Sequence, residues 1–334
     1  MENSVIEKIK LLEDKYAQMG QDLNSYLDGL LLSNYLTYWD YIQLDTLLTL
    51  QNPKTDYPDE QIFIMYHQIT ELYFKLCLHE LEQIANNGKK ILPNGENQGW
   101  NDKITSAFLI ERITRINRYF EVLTKSFEIM VDGMDKEQFL HYRMALLPAS
   151  GFQSAQYRMI EISCTDFINL IDKDVRPNYQ TKNAPIEELF QHIYWNKGAS
   201  ELATGKKTLT LNQFEKKYSK KLICLANTYK TKNVWQKYLS LSQADKQNQQ
   251  LINGLKQLDV NVNINWPLVH YKSAVRYLQQ NSQDIAATGG TNWQKYLPPR
   301  FQKRIFYPQI WSEQEIEDWG KGWVETNVYK VSGL

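Results

Sequence analysis

The chain is 334 residues long, and its 38 Lys plus Arg balance 38 Asp plus Glu, so the formal charge is zero. No global field draws it toward nucleic acid or an anionic membrane, and a basic, sequence-reading DNA binder is not expected. Its 15 glycines and 10 prolines fall below typical usage of roughly 7% and 5%, which argues against turn-rich all-β folds and for helices. Aromatic residues reach 13%, with 21 Tyr and 9 Trp, more than an ordinary core requires, and fit a pocket or interface lined by flat side chains.

Cys77, Cys164 and Cys224 are odd in number and far apart, and no CxxC occurs. That pattern points to a reducing compartment and against thiolate zinc or covalently attached haem. The first ten residues, MENSVIEKIK, are amphipathic and charged, and nowhere do 18 apolar residues run together. A cytoplasmic protein with no membrane span is the expectation.

The segment 59–86 lacks Gly and Pro and places Ile62, Met65, Ile69, Leu72 and Leu76 near helical spacing, which predicts a long helix. Pro58 stands just outside its start, and Asp59 and Glu60 fall in the first turn, where the helix dipole favours negative charge. The run 104–131 repeats apolar residues at threes and fours and predicts a second helix packed on the first. A third helix, 136–146, is expected to break at Leu147-Pro148 and to be followed by another over 151–171. Further helices are predicted over 186–195, 212–228, 233–258, 265–282 and 313–322. Residues 204–237 carry nine lysines against one acid, Glu215, and read as solvated helix faces. No repeat or long linker divides the chain, so one all-α domain over 1–334 is expected, with a variable excursion at about 180–232.

Five histidines are present: His67, His79, His141, His192 and His270. His79 follows His67 by 12 residues, which at 100° per residue leaves it about 120° away, so the two cannot share a metal. No Glu-x-x-His pair occurs, which removes the carboxylate-bridged di-iron bundle. Glu137/His141 and Glu188/His192 stand at i, i+4 and read as surface ion pairs. HExxH, GxSxG, GxGxxG and the P-loop pattern are absent. What is left, a helical chain with isolated histidines and many aromatics, can hold a planar cofactor through one axial histidine. Phe139 and Arg143, also i, i+4, set an apolar ring beside a fixed cation. That pair suits the ring and carboxylate of an aromatic amino acid, because a guanidinium grips a carboxylate bidentately. An arginine that merely ties a loop to a helix is an equal alternative on this evidence.

Five motifs stand in order over about 250 residues: Tyr38-x-x-Tyr41 with Leu44-Asp45 after it; Asp59-Glu60-x-x-Phe63-Ile64-x-x-His67-Gln68-x-x-Glu71-Leu72; Phe139-x-x-x-Arg143; Pro148-Ala-Ser-Gly-Phe-Gln-Ser154; and Thr288-Gly-Gly290. With them the chain resembles the tryptophan 2,3-dioxygenase family, all-α haem enzymes that open the indole ring of L-tryptophan with O2 to give N-formyl-L-kynurenine. The resemblance implies a helical haem-binding bundle, with haem b held through His270 as axial iron ligand and with Ser150 and Gly151 against the cofactor. It makes His67 the distal residue beside O2 and the indole N–H, and Phe63 a wall of the indole pocket. Arg143 would bind the substrate carboxylate beside Phe139, and Thr288 would hold the polar end. Tyr38 and Tyr41 would shape the pocket from a neighbouring subunit of a homotetramer. The family's GTGGSSG loop reads Ala287-Thr-Gly-Gly-Thr-Asn-Trp293 here, and Phe139 stands where some members carry tyrosine. Loop changes of this kind keep open a haem-dependent monooxygenase of tryptophan, tyrosine or a related aromatic, or a non-catalytic haem or ligand-binding protein.

Overall fold

The computed structural model describes residues 3–92, 94–199, 206–280, 283–284 and 297–321. Two compact units result, Met1–Asn52 and Pro53–Leu334.

The first unit holds α1 (Asn3–Gln18), α2 (Leu23–Leu32), α3 (Tyr38–Tyr41) and α4 (Leu44–Leu47). Asp22 starts α2 by accepting the Asn24 and Ser25 N–H groups, and Thr37 starts α3 by accepting that of Asp40. Leu30, Leu31, Leu32 and Tyr35 are all exposed.

In the second unit the long helix α5 (Asp59–Ala85) forms where the spacing predicts it. Its opening acids act as tethers beyond their dipole effect. Fully buried Glu60 accepts the Lys54 and Thr55 N–H groups (2.7 and 2.8 Å) and the Thr55 hydroxyl (2.6 Å). Asp59 accepts the Asp135 N–H, and its own N–H donates to Gln138 Oε1 (3.2 Å), so the start of α5 is pinned to the start of α8 (Lys136–Tyr142). The helix stops at Gly88, whose φ of +72° suits only glycine without strain and whose N–H bonds the Gln83 carbonyl. A small antiparallel hairpin follows, β1 (Lys89–Ile91) and β2 (Asn97–Trp100), with Lys89 opposite Trp100.

Helix α6 (Ser106–Ser126), capped by Thr105 and continued by α7 (Glu128–Val131), packs on α5 through buried Leu109, Ile113, Ile116, Phe120 and Leu123. α9 (Ala155–Cys164) packs on the other side of α5, and α12 (Leu209–Tyr229) packs on α9. α10 (Ile186–Gln191) lies on α12, while α11 (Tyr194–Gly198) adds Trp195 to the core. On α12, Lys216, Lys217, Lys220 and Lys221 all face solvent, and Lys207 pairs with Glu215.

Several predicted helices are divided or redrawn, among them 186–195, which becomes α10 and α11. The 151–171 stretch is a 3-10 turn (Gly151–Gln153), then α9, then a second 3-10 turn (Phe167–Leu170). α9 ends because Thr165 turns extended, where its hydroxyl and the Asn169 amide both serve the Phe306 carbonyl. The 233–258 stretch becomes α13 (Val234–Leu239), α14 (Gln243–Lys246) and α15 (Gln249–Val260). Ser242 and Asn248 cap the second and third pieces, offering the backbone a local alternative to helix. The 265–282 helix is α16 (Trp266–Leu278), joined to α15 by a π turn over Asn261–Asn265, and it ends four residues before the predicted limit. Beyond it, Trp311 and Trp319 pack edge to face at 5.1 Å, and the Trp311 indole N–H donates to Asp259 (3.0 Å). Trp323 and the Ala287–Trp293 loop lie outside the described residues. The fold is all-α, and among the described residues no helix is long and apolar enough to cross a membrane.

Candidate active site

A cavity of about 350 Å³ opens within the second unit, walled by α5, α8, α9 and α16. Phe63 and His67 enter it from α5, Phe139 from α8, Arg143 from the 3-10 turn that follows, Ser150 and Gly151 from the next turn, and His270 from α16. The Ser150–Ser154 stretch takes its shape from its own side chains. Ser150 accepts the Phe152 N–H while Gln153 accepts that of Ser150, and Ser154 caps α9 by accepting the Tyr157 N–H. Helix α12 anchors this stretch: the Thr210 hydroxyl donates to the Pro148 carbonyl (2.9 Å), and Gln153 donates to the Thr210 carbonyl (3.2 Å).

His67 donates Nδ1–H to the Phe63 carbonyl at 2.7 Å, and its ring lies 4.1 Å from that of Phe63. A carbonyl can only accept, so the proton sits on Nδ1 and Nε2 keeps its lone pair. Burial pushes the His67 pKa down, opposed by the Phe63 carbonyl and by Glu71 one turn along. Glu71 is itself held by Gln156 Nε2 at 2.7 Å. His270 repeats the arrangement, donating Nδ1–H to the Trp266 carbonyl at 2.7 Å. Its ring lies between Phe127 (4.3 Å) and Trp266 (4.5 Å), and burial, helped by His67, pushes its pKa down to about 4. Both imidazoles are therefore neutral at pH 7.

Arg143 is 4% exposed, and burial lowers its pKa from a very high starting value, leaving it a cation. Phe139 lies 4.7 Å from Tyr277 and 6.4 Å from Phe63, so three rings surround the space beside the guanidinium. Another part of the lining is cationic. Arg158 and Arg304 both pair with Glu161 (3.2 and 2.7 Å), and Tyr194 Oη accepts from both arginines while donating to Glu161 (2.6 Å). Two guanidiniums against one carboxylate leave a local excess of one positive charge, and Arg158 Nε is buried without a partner among the described residues. These features fit a haem: two imidazoles with a free Nε2, aromatic walls, and buried positive charge for acidic side chains of a macrocycle. Among the described residues no three His, Cys, Asp or Glu converge, and His67 and His270 are the imidazoles of the cavity that could hold such an iron.

Tyr38 and Tyr41 lie on α3 of the first unit, both exposed, and Thr288 lies outside the described residues. Two of the three remaining histidines have partners elsewhere. His141 stacks on Tyr57 at 5.4 Å, and His192 shares a hydrogen bond with Tyr179 (3.1 Å), in place of the ion pairs expected from their spacing. Sequence reasoning overlooked Arg158, Tyr194, Asn263, Trp266, Tyr277 and Arg304 as cavity residues. Arg158 stands one turn past Ser154 and Trp266 one turn before His270, so helical spacing could have found those two. For Arg304 no local signal exists, because only folding brings its segment to α9 and α15.

Fold and cavity together define an all-α protein with two imidazoles and a buried arginine in one aromatic-walled cavity. The chain belongs to the tryptophan 2,3-dioxygenase family, whose model, described as Tryptophan 2,3-dioxygenase, matches residues 30–240. A tryptophan 2,3-dioxygenase of Ruegeria sp. is 37% identical over 126 residues, 38% of this chain and 40% of that protein. The one from Bacillus thuringiensis (strain Al Hakam) is 36% identical over the same shares. That of Xenopus laevis is 35% identical over 156 residues, 45% of this chain and 35% of its own length. The chain thus spans well under half the length of the curated relatives it matches. His67 and Arg143 fall inside the family match and His270 outside it, so the reading of His270 stands on its geometry.

Proposed function

We propose that this protein binds haem b through His270 and opens the indole ring of L-tryptophan with O2, giving N-formyl-L-kynurenine. The observation that carries the reading is the pairing, in one aromatic cavity, of two neutral imidazoles with a buried arginine beside Phe139. When bound, the haem supplies the oxygen chemistry; the protein supplies orientation and electrostatics. His270 Nε2 is the ligand, kept deprotonated by burial and aimed by the Trp266 carbonyl. Arg143 grips the substrate carboxylate and Phe139 lies along the amino acid, which fixes where the indole rests. Phe63 walls the indole pocket, and Thr288 completes the polar end of the substrate site. His67, its proton locked on Nδ1, offers Nε2 as acceptor for the indole N–H and so orients the ring. Ser150 and Gly151 line the cofactor side of the cavity, and the charge around Arg158 and Arg304 suits acidic groups on the macrocycle.

The same reading includes a homotetramer in which Tyr38 and Tyr41 complete a neighbouring subunit's pocket. The exposed apolar side chains of α2 and α3 support it. A cytoplasmic location is also part of it, supported by the three free thiols.

The test is mass analysis of L-tryptophan turned over by haem-loaded, reduced protein under 18O2. Two labelled oxygens in a ring-opened product are expected. A single labelled oxygen would make the protein a monooxygenase and move attention to residues 287–293. Tight ligand binding without product would make it a binding protein.

A further inference from the structure

The junction between α15 and α16 has an irregularity that other parts of the chain repair. In the π turn Asn261–Asn265, the Trp266 N–H bonds to the Asn261 carbonyl instead of that of Val262. The next amide in reach of the Val262 carbonyl belongs to residue 267, which is proline and has no N–H. Val262 is fully buried, so its carbonyl is orphaned where water does not serve it. The Tyr157 hydroxyl donates to it at 2.9 Å and Arg304 Nη2 at 3.4 Å. Arg304 Nη2 also donates to Tyr157 Oη (3.0 Å), and its Nε donates to the Asn263 side chain, so one guanidinium spans the turn. Asn263 in turn donates to Asp259 (2.7 Å), which also accepts the Phe306 and Tyr307 N–H groups. At the end of the turn stands Trp266, whose carbonyl accepts the His270 Nδ1–H.

We propose that Tyr157 and Arg304 are positioning residues for His270: by donating to the carbonyl that Pro267 leaves unpaired, they hold the π turn and with it the Trp266 carbonyl that aims the imidazole. Neither side chain needs to touch the imidazole to act. The proposal rests on the reading of His270 as axial ligand, and it gives the 304–311 segment a role at the site beyond closing the core.

Tyr157→Phe removes the hydroxyl and leaves the ring against Phe74 in place. In the ligand-free chain it should speed amide exchange over residues 262–270 by about tenfold, the effect of losing the shorter of the two hydrogen bonds to a buried acceptor. In the haem-loaded chain it should weaken haem affinity by a similar factor and shift or broaden the iron–histidine stretching band. Pro267→Ala supplies the missing N–H, so the Pro267→Ala/Tyr157→Phe double variant should recover both exchange protection and the band. A Tyr157→Phe protein that matches the original in exchange and band refutes the proposal, as does a double variant without recovery. If Tyr157→Phe alone does not fold, the double variant must fold for the proposal to stand. A wild-type chain that takes up no haem overturns the axial-ligand reading, and the exchange data on the ligand-free chain still decide whether Tyr157 holds the turn.

Discussion

His67 and His270 face one cavity with the same hydrogen bond: each donates Nδ1–H to the carbonyl one helical turn earlier, Phe63 and Trp266, at 2.7 Å. Both therefore keep a lone pair on Nε2. Their surroundings then divide them. Glu71 draws a proton toward His67, whereas His270 sits between two aromatic rings with no carboxylate among the groups that shift it. The second environment suits a metal ligand, which must stay unprotonated, and the first suits a polar contact to substrate.

His270→Ala should abolish the haem absorbance band, and His67→Ala should slow turnover with haem retained. Acid should act on haem binding through His270. Its folded pKa of about 4 lies below the ordinary 6.5, so the unfolded chain takes up the extra proton between these values. Stability from the neutral ring is complete above about pH 6.5 and is lost as pH falls toward 4. Haem retention, followed by absorbance, should hold through pH 6 and be lost only at lower pH. Loss of haem centred at 6.5 would mean that the ring is not buried as described.

Arg143→Ala should weaken L-tryptophan binding by roughly 2–5 kcal/mol, the range for truncating one member of a buried charge pair. Haem content should not change. A titration of substrate against the haem band measures both at once, and normal affinity in the variant would remove Arg143 from the site.

Asp259 accepts from Phe306 N, Tyr307 N, Trp311 Nε1 and Asn263 Nδ2, at 2.7–3.1 Å. Asp259→Ala leaves these buried donors unpaired and should cost about 3 kcal/mol in urea unfolding. Burial raises its folded pKa from 3.8 to about 6. The folded chain thus binds the extra proton between those values, and this group's contribution is complete below 3.8 and lost as pH rises through 6. It opposes the slope from His270, so the variant should show steeper acid destabilisation than the parent.

Gly88→Ala should destabilise the chain by about 1–2 kcal/mol for the left-handed backbone alone. A Cβ there would also come within 2.8 Å of the Phe108 ring, and φ is +72°. Thermal unfolding decides it, and an unchanged midpoint would mean that α5 ends in another way.

Helical spacing and the motif residues determined a good deal by themselves: α5 within one residue, α6, the break at Leu147-Pro148, and the choice of His67, Phe139 and Arg143 as residues to watch. These are local properties, set by 3.6-residue periodicity and by capping side chains within a turn of what they cap. Where 151–171 and 233–258 break was hidden, because Thr165 leaves the helix to meet a carbonyl at Phe306, far along the chain. The same holds for the cavity. That Arg158 and Arg304 share Glu161 and that Tyr157 repairs the carbonyl Pro267 strands were decided by tertiary structure alone. A buried polar group must find its partner wherever the packed chain brings one, and no local pattern in sequence records where that will be.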